Sequence, residues 1–62
     1  MYVITTNILH NNSDVRVYYV GRGTGRDTIW SDKKEDSMSL VTRSSAESLA
    51  RELIEVTTVR EL

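Results

Sequence analysis

The fold-determining stretch of this sequence is Tyr18-Tyr19-Val20-Gly21-Arg22-Gly23-Thr24-Gly25-Arg26-Asp27-Thr28-Ile29-Trp30. Aromatic and β-branched residues lie on both sides of a segment that contains all three glycines of the chain. Aromatic and β-branched residues favour strands, whereas glycine favours the connections between them. The stretch therefore predicts two strands joined by a flexible loop over residues 21–27.

Upstream of this stretch, the pattern predicts a β-hairpin. Residues of high β propensity alternate from Tyr2 to Leu9, and Val15–Val20 supplies the second strand. His10-Asn11-Asn12-Ser13-Asp14 has the composition of a turn, because Asn and Asp adopt left-handed backbone angles easily. Alternation places three apolar side chains on one face of the second strand: Val15, Val17 and Tyr19. We expect that face to contact the core, because the opposite face carries Arg16.

Downstream of the glycine-rich loop, Thr28–Ser31 is predicted to be a third strand, with Trp30 as the core anchor for a helix. The charged run Asp32–Asp36 must be solvated. Met38 and Leu40 are expected to return the chain to the core.

The second half of the chain predicts one amphipathic helix. Its apolar stripe has the spacing i, i+3, i+4, i+7 and i+8, and it consists of Ala46, Leu49, Ala50, Leu53 and Ile54. The sequence allows two positions for the start of this helix. Ser44 and Glu47 fit a capping box, whereas Thr42 with Ser45 would begin the helix half a turn earlier.

The residues after the helix have strand composition. Val56-Thr57-Thr58-Val59 is predicted to be a fourth strand. A frayed helical tail is the alternative, because no glycine marks the end of the helix.

These elements predict a single α+β domain over residues 1–62, with the order β-β-β-α-β. The sheet is mainly antiparallel, and the amphipathic helix packs on one face. Depending on register, the other face carries several of Tyr2, Thr5, Asn7, Arg16 and Tyr18. An apolar or aromatic half-exposed face on so small a sheet is a natural contact surface.

Composition narrows the classes of function. The chain has 62 residues, no cysteine, one histidine and a net charge of −1. Disulfides and thiolate zinc sites are excluded, and we expect self-association, as a homodimer, to compensate for a small core. The near-neutral charge argues against strong non-specific attraction to nucleic acid. No apolar run approaches the roughly 20 residues of a membrane span, and no signal peptide is recognisable, so we expect a cytoplasmic protein without a membrane partner.

Two local constellations suggest binding chemistry. Gly21–Arg26 could bind an anion through backbone N–H groups and two arginines, although it lacks the nucleotide-loop spacing and opens no helix. A mobile, soluble connection is the favoured interpretation. The three aromatic side chains Tyr18, Tyr19 and Trp30 could stack with nucleic-acid bases beside nearby arginines. Alternation puts the two tyrosines on opposite faces, which favours a structural role.

No catalytic set can be assembled from the sequence. His10 lies in a turn without a neighbouring nucleophile or second ligand. The run Asp32–Asp36 lacks the spacing of a calcium loop. We therefore predict no enzyme activity, no cofactor and no metal site.

Two resemblances add to this interpretation. Tyr2-Val3-Ile4 and Tyr18-Tyr19-Val20-Gly21-Arg22-Gly23 resemble the opening of GIY-YIG nucleases, in which Arg26 would be the nearest equivalent of the helical arginine. The spacing here is long, and the residues after Arg26 have strand composition, so this resemblance is disfavoured.

The second resemblance covers more of the chain. Tyr18-Tyr19-Val20-Gly21, Trp30-Ser31-Asp32, and the spacing of Leu40, Thr42, Ala46 and Ala50 are similar to small phage-encoded and bacterial accessory proteins. Those proteins usually have an aromatic residue in place of Leu40 and alanine in place of Ser37. The resemblance implies a viral or mobile-element origin and the binding of a host macromolecule.

The leading hypothesis is therefore a small, non-enzymatic, phage-derived interaction protein. It would bind a host protein of the defence or transcription machinery and inhibit or modulate it. The alternative is a nucleic-acid or nucleotide-binding module that uses loop 21–27. The candidate binding residues are Arg16, Tyr18, Arg22, Arg26, Glu47, Glu52 and Glu55.

Overall fold

The computed structural model describes residues 1–23, 25, 27–53 and 56–62. These ranges contain the strands β1 (Tyr2–His10), β2 (Ser13–Arg22), β3 (Thr28–Ser31) and β4 (Thr58–Glu61), with helix α1 (Arg43–Glu52) before β4. The strands form one sheet in the order β3-β2-β1-β4, and each neighbouring pair is antiparallel. The predicted α+β fold and the order β-β-β-α-β are confirmed.

A two-residue turn joins β1 to β2. Asn11 has φ of 52° and Asn12 has φ of 64°, and a turn with two positive φ angles matches the right-handed twist of a hairpin. His10 pairs with Ser13 directly beside the turn. The predicted turn is therefore confirmed in position but is shorter than residues 10–14, and both strands run up to its two asparagines.

The core lies between the sheet and α1. Its buried members are Ile4, Tyr19, Ala46 and Leu53, and the partly buried Trp30 packs against them. The rings of Tyr19 and Trp30 meet edge to face, with their centroids 5.7 Å apart, a favoured arrangement of aromatic quadrupoles. The interpretation of these two aromatic residues as core is confirmed.

The predicted core face of β2 is confirmed over part of its length. Val17 and Tyr19 are buried, whereas Val15 is only half-buried. A helix of 10 residues is about 15 Å long, whereas a strand of 10 residues extends for about 33 Å. Residues 7–14 around the turn are exposed, so this end of the hairpin extends beyond α1.

A segment of the β3–α1 connection lies between β1 and β2 at the other end of the hairpin. The β1–β2 register stops at Thr5 opposite Tyr18. Beyond it, Tyr2 and Leu40 exchange two backbone hydrogen bonds of 2.7 and 2.8 Å, and the Met38 N–H donates to the Tyr19 carbonyl at 2.9 Å. Leu40 packs against the core as predicted. The prediction for Met38 is wrong: its backbone pairs with β2, but its side chain is exposed.

The start of α1 resolves the choice between two caps. The Thr42 hydroxyl accepts a hydrogen bond from the Ser45 backbone N–H at 3.1 Å. Ser44 lies inside the helix, so the capping box at Ser44 is wrong and the earlier start is confirmed. Of the predicted apolar stripe, Ile54 lies outside the described residues. No helix in the described ranges has the length and apolar composition needed to cross a membrane.

The last strand begins two residues later than predicted. β4 pairs Val59 with Ile4 and Arg60 with Val3, which buries Val59 partly in the core. Val56 is 91% exposed, and its carbonyl accepts a hydrogen bond from the Thr6 hydroxyl. The predicted bounds 56–59 are therefore wrong, as is the alternative of a helical tail for residues 58–61.

Two isoleucines of β1 test the position of the core. Ile4 is 0% exposed and Ile8 is 45% exposed. Ile4→Ala is expected to lower the free energy of unfolding by about 2–5 kcal/mol, because it deletes buried methyl groups and leaves a cavity. Ile8→Ala should cost less than about 1 kcal/mol. Urea unfolding measures both, and the milder Ile4→Val is available if the alanine variant does not fold. Equal losses at the two positions would contradict this core.

The helix cap provides a second matched pair. Thr42→Ala should destabilise the protein by about 1 kcal/mol, because the Ser45 N–H loses its acceptor. Ser44→Ala should change stability by no more than about 0.5 kcal/mol, since alanine is a better helix former than serine. Thermal unfolding followed by circular dichroism measures both variants. A larger loss for Ser44→Ala would show that the helix begins at Ser44.

Candidate binding surface

The sheet face opposite α1, called the outer face below, carries the polar side chains of the central strands. Ile4 and Tyr19 lie in the core beneath α1, and successive strand residues point to opposite faces. Thr5 and Tyr18, which pair with each other, therefore belong to the outer face. The same alternation places Arg16 of β2, and Thr58 and Arg60 of β4, on this face.

The outer face holds an open concavity of about 410 Å³. Three cationic side chains line it: Arg16 from β2, Lys34 from the β3–α1 connection and Arg60 from β4. Tyr18 and Val3 lie among them. The sheet thus brings together positive charges from three separate elements.

The sheet at and beside the concavity is well packed, although α1 lies on its opposite face. Val3 is 1% exposed and Thr5 is 2% exposed. The Nε–H of Arg60 donates to the Thr5 hydroxyl at 3.2 Å, and that hydroxyl donates to the Thr58 carbonyl at 3.4 Å. The Arg60 side chain therefore reaches from β4 to β1, where the hydroxyl of the buried Thr5 holds it.

Lys34 is placed by the connection that follows β3. Lys34–Asp36 forms one turn of 3-10 helix. The Ser31 hydroxyl donates to the Asp36 carboxylate at 3.0 Å and accepts from the Lys33 N–H at 3.1 Å. These bonds attach the 3-10 turn to the end of β3, so that Lys34 is presented to the concavity.

The geometry favours an anionic ligand. Arg16, Lys34 and Arg60 are exposed, and charges of one sign around a concave surface concentrate the positive potential there. Glu61 also borders the concavity. However, Glu61 pairs with Tyr2 and alternates with Arg60, an arrangement that directs its side chain to the α1 side of the sheet.

The structure separates the sequence-predicted arginines. Arg16 and Tyr18 lie together on the outer face. A bulge shifts the β2–β3 register between Tyr19 and Gly21, and the extra residue reverses the side to which the following residue points. Arg22 pairs with Thr28, which shares its face with Trp30, so Arg22 is directed to the α1 side. Arg26 lies outside the described residues.

The predicted bounds of loop 21–27 are wrong at its start, because β2 extends through Gly21 and Arg22 and pairs there with β3. The described part of the remaining loop uses a backbone donor internally. The Gly23 N–H donates to the Asp27 carbonyl at 2.8 Å, so this donor is already occupied. An anion cradle requires N–H groups that point together at the ligand. The described residues therefore give the hypothesis of anion binding by loop 21–27 no support.

The candidate binding residues Glu47 and Glu52 do not form one acidic patch on α1. Glu47 and Glu52 are both exposed, but five residues on an α-helix correspond to a rotation of about 140° between their side chains. Arg43 and Arg51 flank Glu47 at four-residue spacing and line the same depression beside α1. This side of the helix therefore carries mixed charge. Glu55 lies outside the described residues.

The outer face differs from its predicted composition. Tyr2 was a candidate for this face, but it packs against the core beneath the Arg43 guanidinium, whose carbon lies 5.6 Å from the ring centroid. Lys34 and Arg60 were not predicted. Arg60 could have been found from its alternation with Thr58 if β4 had been placed correctly. Lys34 carries no local signal, because only the path of the connection brings it to the sheet.

No family model, curated protein or solved structure matches this chain. The resemblances to phage accessory proteins and to GIY-YIG nucleases therefore stay predictions from the sequence. Within the described ranges, no group of three or more His, Asp or Glu side chains is placed to hold a metal ion.

Proposed function

We propose that this protein is a non-enzymatic binding module that docks an acidic segment of a partner protein on the outer face of its sheet. The convergence of Arg16, Lys34 and Arg60 on one concavity supports this proposal. Tyrosine and arginine are the residue types enriched in protein interfaces and their hot spots, and Tyr18 lies beside these cations. The chemistry is recognition of carboxylates rather than catalysis.

A protein partner is favoured over nucleic acid by the aromatic side chains. Sheets that bind single strands stack successive bases on several exposed aromatic residues. Here Tyr19 and Trp30 pack against each other on the α1 side, which leaves Tyr18 as the aromatic residue of the concavity. The cations remain without a stacking platform, an arrangement that suits carboxylates better than bases.

The sequence resemblance extends the proposal to the identity of the partner. It implies a host protein of the defence or transcription machinery, which a phage-derived protein in the host cytoplasm would inhibit by occupying its acidic surface. Self-association of the module as a homodimer stays a prediction from its small size. The sequence supports the host partner and the homodimer, whereas the geometry of the sheet supports the choice of the outer face as the docking surface.

Charge reversal on the outer face tests the proposed function. The double variant Arg16→Glu, Lys34→Glu should bind a glutamate-rich peptide at least about tenfold more weakly than wild type at low salt, because two attractive contacts become repulsive. Lys33→Glu is the control, since Lys33 is exposed and adjacent to Lys34 but is not among the lining residues. Fluorescence anisotropy of a labelled peptide measures the affinities.

Three outcomes would contradict the proposal. A wild-type protein that does not bind the peptide at low salt would remove it. A loss of affinity for Lys33→Glu as large as that for Arg16→Glu, Lys34→Glu would show a general charge effect without a defined site. Tighter binding of an oligothymidine strand than of the peptide, with the same dependence on Arg16 and Lys34, would favour the nucleic-acid alternative.

A further inference from the structure

Resting on the proposed function, we infer that Arg60 captures a partner carboxylate through two parallel hydrogen bonds, and that Thr5 is the residue that positions Arg60 for this contact. The Arg60 Nε–H is engaged with the Thr5 hydroxyl. A guanidinium has five N–H donors in a rigid fork, and no described residue accepts a hydrogen bond from the two terminal nitrogens of Arg60. Two terminal N–H groups match the two oxygens of a carboxylate.

Thr5 is suited to hold the guanidinium in one orientation. It is 2% exposed and lies in the central strand β1, between Tyr18 of β2 and Thr58 of β4. A β-branched side chain in a strand is stiff about its first dihedral angle. The Thr5 hydroxyl hydrogen is directed to the Thr58 carbonyl, so its lone pairs accept from Arg60.

Arg60 differs from the other cations of the concavity because a hydrogen bond to Thr5 fixes its orientation. Its guanidinium is anchored on a buried side chain and yet remains exposed to solvent. A side chain that is ordered before binding loses less conformational entropy when the ligand arrives. Arg16 and Lys34 contribute charge to the concavity, whereas Arg60 contributes charge together with a fixed direction.

Substitutions that keep the net charge test this inference. Thr5→Val preserves the shape and the strand propensity but removes the acceptor, so it should weaken binding of the glutamate-rich peptide by about three- to tenfold. Arg60→Lys should weaken binding similarly, because an ammonium group lacks the planar fork. Neither variant should change the salt dependence of the affinity, since the number of charges is constant.

Two matched controls separate positioning from a general effect on the sheet. Thr5→Ser keeps the hydroxyl and should retain wild-type affinity. Thr6→Val removes the hydroxyl of the next residue in β1, which pairs with Val17 and therefore belongs to the α1 side of the sheet, so its affinity should also be unchanged. Thermal unfolding of each variant confirms that the domain is intact.

The results discriminate this inference from the proposed function. If wild type binds and Arg16→Glu, Lys34→Glu weakens binding, but Thr5→Val and Arg60→Lys bind as wild type does, the proposed function stands and the positioning role is overturned. If Thr5→Ser is as weak as Thr5→Val, the hydroxyl is not responsible and the inference fails. If wild type does not bind the peptide, both proposals fail together.

Discussion

The register of β1 against β2 is the constraint on which the rest of the structure depends. A slip of one residue would move every side chain of a strand to the opposite face. If β1 slipped in this way, Thr5 would lie under α1 and Ile4 would lie on the outer face. The two-residue turn at Asn11 and Asn12 sets this register, because it requires His10 to pair with Ser13. Core and binding surface are therefore determined together by one short connection.

Two local irregularities then distribute the charged residues. The bulge in β2 directs Arg22 away from Arg16 and Tyr18. The segment paired with Tyr2 and Tyr19 brings the β3–α1 connection across the sheet, which places Lys34 at the concavity. Leu40 of this segment also packs against the core. Together the bulge and this segment place Lys34 beside Arg16 at the concavity and Arg22 on the α1 side of the sheet.

The parts of the fold that depend on neighbouring residues were predictable from the sequence. The asparagine turn, the bounds of β3 and the burial of Tyr19 and Val17 each follow from local propensity and alternation. The stripe of α1 follows from its period, although Thr42 and Ser44 were equally plausible caps on sequence grounds. The hydrogen bond from the Ser45 N–H to the Thr42 hydroxyl distinguishes them in the structure.

The remaining features depend on contacts between distant residues. Residues 56–59 and 58–61 have similar strand propensity, and only pairing of Val59 with Ile4 selects the second range. The candidate site was predicted in part, at Arg16 and Tyr18, which are neighbours on one strand. Arg60 and Lys34 reach the same concavity from positions far away in the chain. The spacing of these residues along the sequence therefore does not predict that their side chains lie close together.

The most direct test of the central claim is the pattern of short proton distances across the hairpin, measured by nuclear Overhauser effects. His10 and Ser13 flank the turn and exchange hydrogen bonds, so alternate pairs along the ladder are unbonded, with their Cα atoms only about 4.5 Å apart. We predict strong contacts between the α-protons of Asn7 and Arg16, and between those of Thr5 and Tyr18. Strong contacts from Arg16 to the α-proton of Thr6 or Ile8 would show a shifted register and would contradict both the core and the binding surface described here.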